Sequence, residues 1–320
     1  MPTGTTGTTG RRAEGVLRLA TRGSPLARLQ AEMVSAWIMA AAPGTVVELV
    51  IVRTEGDRKA DEPLERIGGR GVFTKEVEVA VLEERANAAV HSAKDLPSVT
   101  PPGMVLAGVP ARADPRDGLV GARLADLPPG AVVATGSARR RAQLANLRPD
   151  LTFVELRGNM DTRVRRAEEG AVHAVVVAVA ALDRLGWAER VTEALSTMVM
   201  LPQAGQGALA LECRADDSPS RALLALVDDH EAHRTVDAER ALLAEIGGSC
   251  TVPVAAWAEP TGGDELRLHG LVATGDGRVM VRAHLSGTDP LALGRTLGRQ
   301  LIDEYGGSLI EEWSPVPATS

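Results

Sequence analysis

The feature that most constrains the fold is an alternation that runs twice. Between residues 16 and 92, short strand-like segments alternate with helix-like ones: VLRLAT (16–21), an apolar helix from about Pro25 to Ala41, VVELVIV (46–52), a helix near Thr74–Glu84, and ANAAVHS. Ser24 suits an N-cap and Pro25 a first helical position. Parallel neighbours need a crossover between them, so β-α-β-α-β predicts a mostly parallel sheet. The same order restarts with AVVATGS (131–137), the helix ARRRAQLANL capped by Ser137, TFVEL, the helix MDTRVRRAEEG, and AVVVAVAAL running into DRLGW. PQAGQGALALECR (202–214) supplies a further strand.

After Asp217 the pattern changes. Ser218 and Pro219 open one helix, a second covers about Glu231–Glu245, and three alternating strands follow: VPVAAWAE, ELRLHGLVAT and VMVRAHLSG. Their links, TGGD and GDGR, are hairpin material. A last helix covers about 289–304. At 320 residues the chain exceeds one comfortable core. The expected architecture is α/β: two units with mostly parallel sheets and a small C-terminal α+β domain with a three-stranded antiparallel sheet. The expected boundaries are a disordered Gly/Thr-rich tail (1–14), a first domain (15–110 and 201–217), a second (111–200) and a third (218–320). The first two would be linked by crossing segments near Pro110 and Leu201, which permits domain motion.

Composition excludes several classes. Net charge is -7 and aromatics are 2%, which argues against nucleic-acid binding through the basic SARRR cluster. The apolar run at Ala174–Leu182 is too short to span a bilayer, and the N-terminus lacks the apolar core of a secretory signal. Two cysteines make no disulfide framework, and a cytoplasmic protein with reduced thiols is expected. There is no G-x-G-x-x-G, Walker loop, zinc-spaced Cys pair or H-E-x-x-H. His230 and His233 stand at i, i+3 without an evident third ligand and read as a solvated helix face, so no metal is expected.

The chemistry-bearing residues gather at strand-to-helix turns. Arg139, Arg140 and Arg141 fall in a first helical turn, where the dipole disfavours cations by about 0.3–1 kcal/mol each. Arg22 precedes another helix start, and Arg157 and Arg163 flank a third. Such turns share one edge of an α/β sheet, so Arg22, Arg139, Arg140, Arg157 and Arg163 are expected to converge on a cleft that takes carboxylates or phosphates. The alternative is scattered surface salt bridges. AVHSAKDLPS (89–98) ends a strand in Ser92, Lys94 and Asp95. Asp95 reads either as a turn former or, among those cations, as an ionised carboxylate able to stabilise a developing cation or move a proton. Cys213 lies in an apolar strand and reads as a small hydrophobe. Cys250, after Gly247 and Gly248, is either a reactive thiol or a packed loop cysteine.

ATRGSPLARLQ, GGRGVFTKEVE, AVHSAKDLPS, TGSARRRAQL, LRGNMDTR, LPQAGQGALALECR and AERALLAEIGGSC, in this order, resemble the signatures of the porphobilinogen deaminase (hydroxymethylbilane synthase) family over about residues 15–310. The resemblance implies two domains like the halves of a periplasmic binding protein, with a cleft between them. It implies a third domain whose Cys250 carries a dipyrromethane cofactor through a thioether. It implies a monomeric transferase that adds four porphobilinogen units head to tail, loses ammonia each time, and frees hydroxymethylbilane with water. Asp95 matches the catalytic aspartate, placed to stabilise the azafulvene cation left when ammonia departs. Lys94 and Ser92 resemble ligands of the cofactor or substrate acids. Arg22, Ser24, Arg139, Arg140, Arg157 and Arg163 match residues that bind the acetate and propionate chains, with Gln30, Thr135, Ser137, Asn159 and Gln206 at further polar positions of the cleft.

Three departures stand out. Arg70 replaces a common lysine in GGRG, Gly136 removes a hydroxyl from the acid-binding turn, and Ser249 precedes the cysteine where glycine is frequent. The charged, glycine-bounded segment Arg58–Gly69 is expected to be a mobile loop that could serve as a lid. A non-catalytic anion-binding clamp is the competing reading. It would need no third domain bearing a cysteine.

Overall fold

A computed structural model describes residues 15–58, 71, 73–247 and 253–310. The tail at 1–14, the expected lid over 59–69, Arg70, Ser249 and Cys250 lie outside the described residues.

The first alternation folds as read. Strands β1 (Val16–Arg22), β2 (Val46–Val52) and β3 (Ala88–Ser92) are parallel neighbours. Helix α1 (Pro25–Ala41) crosses between β1 and β2; the one-turn α2 (Glu55–Arg58) and α3 (Lys75–Leu82) lie between β2 and β3. Two more strands complete the sheet, β4 (Met104–Gly108) and β10 (Leu209–Arg214), in the order β2-β1-β3-β10-β4. A second sheet has the order β7-β6-β8-β5-β9, from β5 (Asp117–Gly121), β6 (Val132–Ala134), β7 (Thr152–Val154), β8 (Ala174–Ala178) and β9 (Glu193–Ala194). Its helices are α4 (Ala138–Leu147), α5 (Met160–Glu168) and α6 (Val179–Arg184).

The two sheets share a pattern. In each, four strands point one way and one points the other: β10 opposes β3 and β4, and β5 opposes β8 and β9. The odd strand is in both cases the one the chain enters after crossing from the other sheet, along 109–116 into β5 and along 195–208 into β10. No crossover helix on the receiving sheet precedes such a strand, so nothing forces it parallel. The sequence reading passed over β4, β5 and β9, which are five, five and two residues long and lie outside the strand–helix alternation.

Apolar residues on both faces of each sheet build the cores. Leu17, Leu19, Val34, Ile38, Leu209 and Leu211 are buried on one side of the first sheet, and Val77, Val81, Ala89 and Met104 on the other. Burying each large aliphatic side chain contributes about 1.5–3 kcal/mol. Helix α7 (Ser218–Ala225) was assigned to the third domain from sequence, but its Leu224 is buried with Leu17 and Leu211 against the first sheet. The third unit begins in practice with α8 (His230–Ile246). It joins the antiparallel strands β11 (Val254–Gly262), β12 (Glu265–Ala273) and β13 (Met280–Gly287) and helix α9 (Pro290–Arg299) around Leu242, Leu268, Leu293 and Leu297.

Candidate functional site

Strand β3 stops at Ser92, and Ala93–Asp95 form a single 3-10 turn. Pro97 cannot donate to a ladder, so the strand does not resume. The returning crossing segment grips this turn. The amide of Ala93 donates to the Ala208 carbonyl (3.0 Å), and the Gln203 side chain donates to the Lys94 carbonyl (3.0 Å). Gly205, at φ +72°, sits so close that a Cβ there would lie 2.8 Å from the Ala93 carbonyl carbon and 2.9 Å from the Lys94 nitrogen. Only glycine combines that left-handed backbone with that approach. Ser92, Lys94 and Asp95 are all half-buried.

Across from this turn is the start of α4. Ser137 caps it by accepting from the Arg140 amide (3.4 Å). Arg139 and Arg140, which follow, are buried and meet a carboxylate of the chain itself, Asp117 at the start of β5. Arg139 Nη1 donates to Asp117 Oδ2 (2.8 Å) and to the Leu201 carbonyl (2.6 Å). Arg140 Nε donates to Asp117 Oδ1 (2.9 Å), its Nη2 lies 2.7 Å from the same oxygen, and its Nη1 donates to the Val176 carbonyl (2.9 Å). The Gln206 amide donates to Asp117 Oδ1 (2.9 Å) and to the Pro115 carbonyl (2.7 Å). Burial pushes the Asp117 carboxyl up, but the two guanidiniums and the amide outweigh it and hold it far below the carboxylate range. Every nitrogen of Arg140 thus has a partner. Arg139 differs: its Nε and Nη2 are buried with no hydrogen-bond partner among the described residues.

The other acid-binding candidates close the ring. Asn159 caps α5 by accepting from the Thr162 amide (2.9 Å), and Arg163 Nε donates to the Gly158 carbonyl (2.9 Å). Arg157 lies 2.9 Å from Glu155 Oε1. The Thr135 hydroxyl accepts from the Ser137 amide (3.2 Å). At Gly136 a Cβ would lie 2.9 Å from both Glu155 Oε1 and the Leu156 carbonyl oxygen, so a hydroxyl-bearing side chain here would crowd the Leu156 backbone and displace the Glu155 carboxylate. Burial lowers the Arg163 pKa first, Arg140 and Arg157 lower it further, and Asp95 and Glu155 pull it back. Burial pushes the Lys94 amine down to about 8, Arg140 and Arg139 push the same way, and Asp95 and Asp117 oppose them. Six predicted residues therefore share one field: Lys94, Asp95, Arg139, Arg140, Arg157 and Arg163.

Arg22, Ser24 and Gln30 stand on the first unit. Arg22 is paired with Asp57 and lies 4.1 Å over the Phe73 ring, and its charge is felt by His91 on β3. Ser24 uses its hydroxyl to cap α1, accepting from the Ala27 amide (3.3 Å). Gln30 is buried in α1. Burial pushes the Cys213 thiol up to about 11, so it is no nucleophile, in keeping with a packed strand residue.

Two polar centres escaped the sequence reading. Glu239 on α8 is fully buried and takes four hydrogen bonds: from Arg112 Nη1 (2.6 Å) and Nη2 (3.1 Å), the Gly205 amide (2.6 Å) and the Ala258 amide (2.8 Å). It fastens both crossing segments to the third unit. The second centre is Glu78, His91 and Glu212, whose donor atoms lie within 4.8 Å of one another. His91 Nε2 and both Glu212 carboxylate oxygens are buried without a hydrogen-bond partner among the described residues. That spacing would suit a metal, but the Arg240 charge already acts on both carboxylates. Two carboxylates and one guanidinium need one proton for neutrality; a divalent cation would leave buried positive charge. Burial, helped by the Glu78 charge, pushes Glu212 up to about 7, which is where that proton sits. An acidic residue between Leu211 and Cys213 in an otherwise apolar strand was the available signal.

Comparison with known proteins identifies the family. The family model described as porphobilinogen deaminase, dipyromethane cofactor binding domain, matches residues 17–222, and the porphobilinogen deaminase C-terminal domain matches 233–303. A porphobilinogen deaminase of Roseiflexus castenholzii is 49% identical over 299 residues, 92% of this chain and 98% of the relative. One of Syntrophus aciditrophicus is 45% identical over 300 residues, again 92% of this chain and 98% of the relative. Among solved structures, a TRAP periplasmic solute binding protein from Desulfovibrio salexigens matches at 14% identity and TM-score 0.43, covering 69% of this chain and 74% of that one. The two family models between them account for nearly all of the described residues, and the chain belongs to the porphobilinogen deaminase family.

Proposed function

We propose that Asp95, set among Lys94, Arg139, Arg140, Arg157 and Arg163, is the reacting centre of a transferase that joins four porphobilinogen units head to tail. Each addition loses ammonia, the chain grows on a dipyrromethane primer, and hydrolysis releases hydroxymethylbilane. Family membership supports the activity and the cofactor. The observation that carries the assignment of the centre is the field shared by Asp95, Arg140, Arg157 and Arg163 across two sheets.

The residues present fit an acid-bearing cofactor. Arg139 has two buried donors without partners, Nε and Nη2, which form the edge of a guanidinium that takes a carboxylate bidentately. Arg157, Arg163 and Lys94 would hold further acetate and propionate chains, with Ser92, Thr135, Ser137 and Asn159 lining the same turns and Arg22, Ser24 and Gln30 serving from the first unit. When bound, dipyrromethane supplies a nucleophilic terminal pyrrole carbon. Asp95 supplies a fixed negative charge to the porphobilinogen pyrrole as ammonia departs and can carry a proton to the leaving amine. Lys94, lowered to about 8 but still mostly charged at neutral pH, can hold a substrate carboxylate. Arg70, by its match to the family's motif, would add a further cation for those acids.

The attachment point is Cys250 through a thioether. The high pKa of Cys213 supports that choice, since it leaves Cys250 as the other thiol of the chain. The three-domain division, 15–110 with 201–217, 111–200, and a third from 218, is supported by the three sheets, with α7 better placed in the first domain. The enzyme works as a cytoplasmic monomer on a small molecule; no helix among the described residues is long and apolar enough to cross a membrane.

Denaturing mass spectrometry with peptide mapping tests this reading. The expected result is a mass excess of two pyrrole units on the Cys250 peptide, present in Asp95→Asn with turnover nearly abolished, and absent in Cys250→Ala. Pyrrole mass on the Cys213 peptide, or full turnover in Asp95→Asn, would overturn the assignment.

A further inference from the structure

The Asp117 carboxylate belongs to no part of the chemistry above, yet the acid-binding arginines depend on it. We infer that Asp117 is a positioning residue for acid recognition: it orients Arg139 and Arg140 together, moors them to both crossing segments, and acts as an internal counter-anion for the cationic side of the cleft. The inference rests on the reading of Arg139, Arg140 and Lys94 as ligands of substrate or cofactor acids.

The geometry has three parts. Asp117 takes Arg139 on one oxygen and Arg140 on the other, at 2.8 Å and 2.9 Å. With Arg139 Nη1 committed to Oδ2, the Nε–Nη2 edge is the one left without partners. The anchor therefore fixes which edge of the guanidinium is left without an internal partner. Asp117 opens β5, directly after the first crossing segment, and Gln206 of the second crossing segment donates to it. Gly207 lets those segments touch. Its φ is +88°, a Cβ there would lie 2.4 Å from the Ala113 carbonyl oxygen, and its own carbonyl accepts from the Ala113 amide (3.1 Å). The arginine pair is thus tied to the segments about which the two units would move, as well as to α4. Finally, two buried guanidiniums and one carboxylate sum to a single positive charge. Asp117 is also one of the two anions that favour the charged form of Lys94, so its loss would leave Arg139 and Arg140 acting on Lys94 with Asp95 alone in opposition.

The test compares purified wild type with Asp117→Asn, which removes the charge and keeps the shape. Steady-state ammonia release from porphobilinogen should show KM raised by about tenfold or more with kcat changed much less, the signature of lost binding rather than lost chemistry. Independently of activity, competitive acetylation of Lys94 with acetic anhydride across pH, read by peptide mass mapping, should show its midpoint lowered by about half a unit or more. Wild-type KM together with an unchanged Lys94 midpoint would overturn the inference. Should Asp117→Asn fail to fold, Gln206→Leu loosens the same anchor without removing charge; KM should rise about threefold while the Lys94 midpoint stays put, and an unchanged KM there would overturn the mooring role. Wild type that releases no ammonia would instead sink the parent reading, while the acetylation comparison would still decide the coupling of Asp117 to Lys94.

Discussion

Two buried acid centres flank the Ala93–Asp95 turn, and they solve the same problem in opposite ways. Asp117 and Glu212 are both fully enclosed carboxylates. Asp117 has two guanidiniums and an amide at hydrogen-bond distance and stays charged. Glu212 has His91 at 3.6 Å, beyond hydrogen-bond length, a second carboxylate in Glu78, and Arg240 acting only at longer range. It keeps its proton to about 7. Burial alone does not decide the state of a carboxylate; donors in contact do. The charged centre lies among the arginines proposed to recognise acids. The neutral one lies under β3 and β10, where the chain needs only to seat Arg240 of α8 against the first sheet.

The largest effect that would break this contrast is at Asp117. Asp117→Ala leaves two buried guanidiniums facing each other, and removing one partner of a buried ion pair costs about 3–5 kcal/mol. Urea denaturation at constant pH should show that loss. A cost below about 1 kcal/mol would place Asp117 with surface ion pairs instead.

The second centre should be read through pH. Glu212 is raised on folding, so its contribution is full below about 4.5 and is lost as pH rises through about 7. Burial, aided by the Arg22 and Arg240 charges, pushes His91 down to about 3, so its contribution is present above 6.5 and is lost as pH falls toward 3. Between these limits the unfolded chain carries the proton on His91 and the folded chain carries it on Glu212. The two proton counts match, and this pair adds no slope to wild-type stability between roughly pH 4.5 and 6.5. Each variant should unmask the other group. Relative to wild type, Glu212→Gln should gain stability as pH rises through that window, and His91→Asn should lose it, each by at most about 1.4 kcal/mol per pH unit. Parallel stability–pH curves for all three proteins would refute the shared proton.

Much of this was legible from sequence, and the gaps have physical causes. The strand–helix alternation gave the parallel portions of both sheets because its period is local. The crossing strands β4, β5 and β9 were missed because they are short and owe their pairing to distant partners. Lys94, Asp95 and the arginines were legible because polar residues at strand ends share an edge. Asp117 was not: only the folded chain brings it to Arg139 and Arg140, 22 and 23 residues away. Glu239 and Glu212 were hidden likewise. A carboxylate inside a helix or strand reads as solvated until its donors, 127 residues away in the case of Arg112 and Glu239, are found.

The smallest predicted effect tests whether fastening and titration at the neutral centre are separable. Arg240 Nη2 donates to the Thr100 hydroxyl (3.1 Å), just beyond the Ala93–Asp95 turn, while Nη1 has no hydrogen-bond partner among the described residues. Thr100→Ala removes one hydrogen bond to a charged group at a partly open position, where water can substitute, so the loss should be about 1 kcal/mol. The hydroxyl does not titrate, and Arg240 keeps its charge. The cost should therefore be the same at pH 5 and pH 8, a uniform offset in the urea midpoint. A cost that grew with pH would mean that Thr100 holds Arg240 close enough to set the proton affinity of Glu212, and that seating α8 and storing the proton are one function of the cluster instead of two.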